Sequence, residues 1–478
     1  MKIKTSLMLI VASVLMLTEV GCVGAIQPVS TPTPFSVATP IHPPLQGVSI
    51  SYYPSLFISM KWGLSANEMP PVVVRRSVSD MVADGNRIDT VRFRPNFLYY
   101  ISDDLHFYVL PVHYAYGNYY MPSPPNFDLL EFSPDGQLIN RFHLGTTESF
   151  VYNYRVLSFV VRDGYIYLHE VVMTDGQTGK RSIRKVALAQ PSKDVWQTRI
   201  EGKEFDRRGE LPNDLIHIRD GNLYMTSDSG RILQFDIQNG QLEKNFFLDK
   251  DLGYAVLSPA GNFYGELRIG SLNDPYISCN PHTGECIDIP NPRAMGSSIL
   301  GVNEKNNVYT ETEDDNVRIL KPAGHYLKEF PLPDLVIKSA DEIYFGFREL
   351  APRRIVVRRW GQGGQVGEDV QLSVPGQQIE QMAARLIQVN EEGYFVYDDS
   401  HSVLYQYDLT GELVNTRSFK DKDSQNTLYN RSEALFDFES VRTGLNMDRE
   451  GRLYLTIMDP EGFKVVRLDL VLPEEEAK

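Results

Sequence analysis

Short apolar and aromatic runs alternate along most of this chain with turns that end in Gly or Asn. One segment type, a turn followed by an apolar strand, recurs as VRDGYIYLHE from Val161, IRDGNLYMTS from Ile218, SPAGNFYGEL from Ser258, VNEKNNVYTE from Val302, VNEEGYFVYD from Val389 and MDREGRLYLT from Met447. A tight hairpin needs a residue with positive φ, and Gly or Asn adopts it at little cost. A second type alternates with the first: LLEFSPDGQLINRF, ILQFDIQNGQLEKNF, YISCNPHTGECIDI, RILKPAGHYLKEF and VLYQYDLTGELVNTRSF, each a strand, a glycine turn and another strand. Each reads as a β-hairpin. Together the two types make a unit of four short antiparallel strands. The first turns fall near positions 105, 164, 221, 261, 306, 341, 393 and 451, about 49 residues apart on average, which is the period of propeller blades. Strands such as YIYLHEVV and RLYLTI are apolar or aromatic on both faces, as expected of sheets sandwiched between neighbours. The pattern therefore predicts an all-β chain, a single β-propeller of four-stranded antiparallel blades over 48–478. Eight blades is the count, with seven as the alternative, because the unit near 341 follows early and has a poor inner strand.

The quoted segments SVLYQYDLTGELVNTRSF and GLNMDREGRLYLTI resemble degenerate blades of the NHL and related β-propeller families, and the resemblance covers most of residues 82 to 472. It implies a propeller and no one family. Propellers related to the quinoprotein dehydrogenases (PQQ-like) carry a tryptophan in each blade, whereas this chain has Trp62, Trp196 and Trp360 in all. The last unit ends in VLPEEEAK where the others have a turn and an outer strand. PPVVVRRSV, residues 70–78, reads as a lone strand and is expected to complete that blade, since a ring cannot leave an edge unpaired.

The first 21 residues read as an export signal: Lys2 and Lys4, the apolar run Leu7 to Leu17, then small residues around Gly21 and Ala25. That run is too short for a spanning helix, and no other segment approaches the ~20 apolar residues one needs. Cleavage before Cys22 would free it for diacylglyceryl attachment, as in bacterial lipoproteins. Cleavage after Ala25 would leave a soluble secreted chain. Gly21 fits a lipobox and Glu19 departs from it. Residues 22–47 are rich in Pro and Thr and read as a stiff, solvated tether, so the expected address is extracytoplasmic and membrane-anchored, with secretion as the alternative.

Charge narrows the partners. The formal net charge is -15, and taking Lys2, Lys4 and Glu19 away with the leader leaves -16. Such a surface repels phosphate backbones and anionic headgroups, which argues against nucleic acid and against a membrane contact other than the lipid. A protein or glycan partner and a monomeric chain are expected. Beyond Cys22, Cys279 and Cys286 flank one hairpin turn and predict a disulfide staple outside the cytoplasm.

Two clusters are candidate ligand-binding positions. Tyr114, Tyr116, Tyr119 and Tyr120 fall at the tip of the long first unit, where rings suit sugar stacking or a protein interface. Arg354, Arg358 and Trp360 form the most basic patch and suit an anion. DKDS at 421–424 resembles the start of a calcium loop but lacks its glycine and its final acid, so neither a metal nor another cofactor is expected. There is no GxSxG, HExxH or P-loop. His106, His113, His169, His217 and His401 lie in or beside strands without a paired acid at helical or hairpin spacing, and read as structural. The reading is a non-catalytic binding or scaffolding module. The rival is an enzyme with an axial site, a metal-dependent lactonase or a polysaccharide lyase.

Overall fold

The structure, a computed structural model, describes residues 52–470 apart from 70–73, 76–89, 92–95, 113–125, 147–153, 201–211, 268–275, 290–297, 377–382, 419–440 and several gaps of one to three residues between strands. The leader, Cys22, the tether and the four candidate tyrosines lie outside the described residues.

Among the described residues eight antiparallel sheets of four or five strands follow one another along the chain, and in the first seven the strands lie side by side in sequence order, except that the last two strands of the sixth both pair with its third. The first holds Asn96–Ile101, Phe107–Val112, Asn126–Phe132 and Leu138–Thr146, and the second Tyr154–Arg162, Tyr165–Thr174, Gln177–Ala187 and Asp194–Ile200. The third runs from Pro212–Arg219 to Leu242–Phe247, the fourth from Leu252–Leu257 to Cys286–Ile289, and the fifth from Ser298–Val302 to Tyr326–Pro331. The sixth, from Asp334–Ser339 to Val370–Ser373, has five strands. The seventh runs from Ala384–Asn390 to Leu413–Ser418.

The local chemistry of the turns explains the regularity. Asp163 and Gly164, and again Asp220 and Gly221, both have positive φ, which makes the two-residue turn that matches strand twist. Gly261, Asn306, Gly393 and Gly451, at the predicted turns, also have positive φ. At Gly393 a Cβ would sit 1.8 Å from the Tyr407 carbonyl oxygen, so no larger residue fits. Several turns are held by the side chain that opens them. Asp448 Oδ1 accepts the Glu450 and Arg452 amides at 2.9 and 3.0 Å, Asp408 Oδ1 those of Thr410 and Glu412 at 2.9 and 3.0 Å, and Asn303 Oδ1 those of Lys305 and Asn307, both at 3.0 Å.

The eighth sheet corrects one expectation. It consists of Val441–Met447, Leu453–Met458, Gly462–Leu470 and, as its outer strand, Tyr52–Lys61 from the start of the described chain. Tyr52 pairs with Leu470 and Lys61 with Gly462. Of the strand expected to do this, 70–78, the described part Val74–Arg75 pairs with Thr90–Val91 instead, and the place beside Gly462–Leu470 is taken by Tyr52–Lys61. The true clasp is apolar enough to be held from both sides, since Phe57, Ile58 and Met60 join Phe97, Phe107 and Val109 of the first sheet in one core cluster. Pro54 disguises it, yet an outermost strand tolerates a residue that cannot donate to a ladder.

Sheets pack face to face through successive apolar clusters. The eighth meets the first, the first the second through Leu129 and Leu168, the second the third through Ile183 and Leu223, the third the fourth through Ile232 and Phe263, and the fourth the fifth through Tyr264 and Val308. Fully burying each such side chain contributes about 1.5–3 kcal/mol. Buried lysines add polar staples: Lys185 Nζ donates to the Ile237 carbonyl at 3.0 Å while lying over the Tyr165 ring.

Ring membership is the second departure from expectation. Sheets five and eight touch directly: the Glu304 amide donates to the Arg449 carbonyl at 2.9 Å, and Arg442 bonds Glu311 at 2.8 Å. Six sheets thus close around the axis. The sixth packs outside that joint, against both the fifth and the eighth in one cluster that includes Phe330, Phe345 and Leu455, and the seventh packs on the sixth through Ile355 and Val396. All eight units form blade-like sheets, but two of them stand off the axis.

Candidate functional site

The inner strands of the six ring sheets enclose an axial cavity of 600 Å³. Leu98 and Tyr100, Phe159, Ile216 and His217, Val256, Leu300 and Met447 all line it, contributed by sheets one, two, three, four, five and eight. One mouth is set by the C-terminal ends of these strands and the turns that follow, so the same turn chemistry that shapes each sheet also furnishes the rim. Asp103, Arg162, Arg219, Asp220, Glu304 and Arg449 stand there.

The rim is pre-positioned by bonds from one sheet to the next. Arg162 Nη1 donates to the Ile218 carbonyl at 3.4 Å, and Arg219 Nη1 to the Ser258 carbonyl at 3.1 Å and to that of Pro259. Each arginine also has an acid beside it: Arg162 with Asp163 at 3.6 Å, Arg219 with Asp220 at 3.1 Å, Arg449 with Glu304 at 3.2 Å. The acids remain well exposed, Asp163 at 83%, Asp220 at 72% and Glu304 at 55%. Such exposed pairs add about 0–1 kcal/mol each, and their carboxylates stay open to a partner.

Below the rim the cavity wall carries His217. Its Nε2 donates to the Ala255 carbonyl at 3.2 Å, and its ring meets Phe263 edge-on. Burial pushes its pKa down to about 4, against a small opposing effect of that bond, so the ring is neutral at pH 7 and ties sheet three to sheet four. Burial likewise raises the Tyr100 phenol, with Asp103 adding to the effect. Among the described residues no group of three or more His, Cys, Asp or Glu side chains could hold a metal ion.

A second, smaller cavity of 280 Å³ lies where sheets five, six, seven and eight meet. A chain of ion pairs runs along it. Arg442 donates to Glu311 at 2.8 Å and Asp315 at 2.7 Å, Arg348 lies 2.9 Å from Asp315 and 3.2 Å from Asp334, and Asp334 accepts the Leu386 amide at 3.0 Å. Burial raises the pKa of both Glu311 and Asp334, and the neighbouring arginines counteract it.

The sites read from sequence fall as follows. Cys279 and Cys286 are directly paired across the two outer strands of the fourth sheet and form a disulfide with a Cα separation of 4.1 Å. Arg354 donates to Glu349 and Gln371, both at 2.5 Å. Arg358 makes a bidentate pair with Asp369 at 2.7 and 2.6 Å and lies over the Phe347 ring, and Trp360 is buried in the cluster shared by sheets five, six and eight. These three share a face of one strand, with both guanidinium groups already engaged. The tyrosine tip and Cys22 lie outside the described residues.

The histidines are better paired than their spacing suggests. His106 donates Nδ1–H to Glu131 at 2.7 Å, His143 to Asp128 at 3.0 Å and His401 to Asp398 at 2.9 Å. The expectation that His106 and His401 lack acids is therefore corrected. The acid of His106 comes from the adjoining strand Asn126–Phe132, where Tyr108 pairs with Glu131, a register that spacing along the chain does not reveal. Ser400, His401 and Asp398 look like a nucleophilic triad by composition only. The Ser400 hydroxyl donates to Asp398 at 2.6 Å, and both Ser400 and Asp398 approach the same ring nitrogen, so the histidine cannot relay a proton between them. Asp398 is instead fully buried under Arg353, at 2.6 Å.

The architecture is that of the β-propeller class. No protein-family model matches the chain, and no curated protein matches it. Among solved structures the chain is similar to "YCF48 bound to D1 peptide", with 11% identity, 79% of this chain and 94% of that chain covered, and a TM-score of 0.35. It is also similar to YCF48 from Cyanidioschyzon merolae, at 10% identity, 78% and 95% coverage and a TM-score of 0.34. A third is BamB from Moraxella catarrhalis, at 10% identity, 75% and 94% coverage and a TM-score of 0.29.

Proposed function

We propose that this protein is an extracytoplasmic propeller that binds a protein partner across the charged axial mouth, held to a membrane by a lipid on Cys22. The observation that carries the reading is the axial cavity itself: six inner strands converge on 600 Å³ of space under a rim of exposed charges. Arginines already bonded to the next sheet's carbonyls hold that rim in one geometry, so a partner meets it with little ordering cost. The binding role also suits the wall, where His217 is spent on a carbonyl. The Pro-rich stretch after Cys22 suits a spacer between membrane and propeller.

Photo-crosslinking residues placed at Asp103, Asp220 and Glu304, with Val195 and Ile287 on outer strands as controls, test the binding face. Discrete adducts from the mouth positions alone are expected. Adducts from the outer strands alone would overturn the reading, and turnover of a small substrate lost with mouth variants would favour the axial enzyme. Mass spectrometry of the mature N-terminus tests the anchor: a diacylglyceryl Cys22 is expected, and an N-terminus at Ile26 would refute it.

A further inference from the structure

We propose that the joint between the fifth and eighth sheets is a gate, and that the protein has a second arrangement in which sheets six and seven enter the ring and widen the axial cavity. The inference rests on the axial cavity being the binding site, and adds how its size is regulated.

Three observations carry it. First, sheets six and seven are not insertions inside a unit; they stand in sequence between two complete ring sheets and pack on each other as ring neighbours do. Ile355, Val357 and Leu372 of one face Leu386, Val396 and Tyr405 of the other, and the first strand of each is tied by the Asp334 bond to the Leu386 amide. Second, the other ring joints have an apolar cluster belonging to two sheets, whereas at this joint sheets five and eight share theirs with sheet six. Their direct contacts include ion pairs, Arg442 with Glu311 and Asp315 and Glu304 with Arg449, beside the apolar approach of Met447 to Gly301. The 280 Å³ cavity beside these ion pairs leaves the joint less completely filled than a packed interface. Third, the far face of the seventh sheet carries a cluster of Ile387, Phe395 and Tyr397, with Leu404 against it, to which no other described sheet contributes. In an eight-sheet ring that face is the one turned toward the eighth sheet, whose Leu455, Ile457 and Val466 now meet sheets five and six.

The two arrangements differ in one distance. Glu304 and Arg449 are in contact across the joint, and Lys305 and Glu450 sit beside them on the same turns. Packed sheets lie about 10 Å apart, so admitting two of them lengthens the gap between those turns by roughly 20 Å. Spin labels at Lys305→Cys and Glu450→Cys in the mature protein, read by electron–electron dipolar spectroscopy, should give a short and a long population. Arg442→Ala, which removes the bonds to Glu311 and Asp315, should move the balance toward the long one. A single short distance, unchanged by Arg442→Ala in protein with native circular dichroism, would overturn the proposal. The distances need no partner, so their outcome is independent of whether the mouth binds one. If the gate is real but the mouth is not the binding face, the long population appears while mouth crosslinks do not.

Discussion

Removing the Phe57 ring should weaken the whole ring, because Phe57 sits on the clasp strand and touches the sheets on both sides of the closure. Its ring meets Phe107 of the first sheet at 5.9 Å and Tyr454 of the eighth at 5.2 Å, both edge-on, and it is 8% exposed. Truncating a buried Phe to Ala costs about 3–5 kcal/mol through lost transfer free energy and the cavity left behind. Each aromatic contact adds about 0.5–1.5 kcal/mol beyond area. A loss of about 4 kcal/mol is therefore expected for Phe57→Ala, a large share of the 5–15 kcal/mol typical of a folded chain. Ile58→Ala, on the neighbouring position at 2% exposure, should cost about 2–5 kcal/mol. Urea denaturation of the mature protein, followed by tryptophan fluorescence, gives both values from the shift in midpoint at constant slope. Losses below about 1 kcal/mol for both variants would refute the idea that this strand closes the ring.

Three further outcomes follow from buried groups. Reducing the Cys279–Cys286 bridge, or Cys279→Ser with Cys286→Ser, should lower stability by about 2.5 kcal/mol in the chain-entropy account of so short a loop, and unfolding with and without reductant measures it. Glu170 is buried and its pKa is pushed up to about 7 by desolvation, against the pull of Arg184, so between about 4.5 and 7 the folded chain holds a proton that the unfolded chain has lost. Its contribution to stability accordingly falls as pH rises through that window, and Glu170→Gln should flatten the fall in pH-dependent denaturation. His217 titrates the other way: held neutral to about pH 4, it makes the protein lose stability as pH drops from its ordinary 6.5 toward 4. His217→Leu should remove that dependence while costing about 1–3 kcal/mol, because the Ala255 carbonyl loses its donor.

What could be read from the chain was whatever is local. Asp163–Gly164, Asp220–Gly221, Gly261, Asn306, Gly393 and Gly451 mark turns whose φ values the sequence demands, and the Cys279–Cys286 hairpin is local too. The clasp was misplaced because closure pairs residues some four hundred positions apart. Three consecutive valines at 72–74 look more like a strand than YYPSLFISMK, whose Pro54 is acceptable only at an outer edge. Ring membership was illegible for a similar reason. Sheets six and seven have the same two-sided apolar strands as the others, and nothing in a strand says which neighbour its second face will meet. The axial rim was missed although its residues lie in the quoted repeats: the Arg-Asp-Gly triplets at 162–164 and 219–221 were read for their turns and not for the arginines that reach the next sheet.

Hydrogen exchange on the protein alone and bound to the partner captured at the mouth tests the central claim most directly. Slower exchange is predicted at the turns 102–106, 162–165, 219–222 and 303–307, with no change along the outer strands Cys286–Ile289 and Leu413–Ser418. Protection confined to those outer strands, with the rim turns exchanging as before, would contradict it.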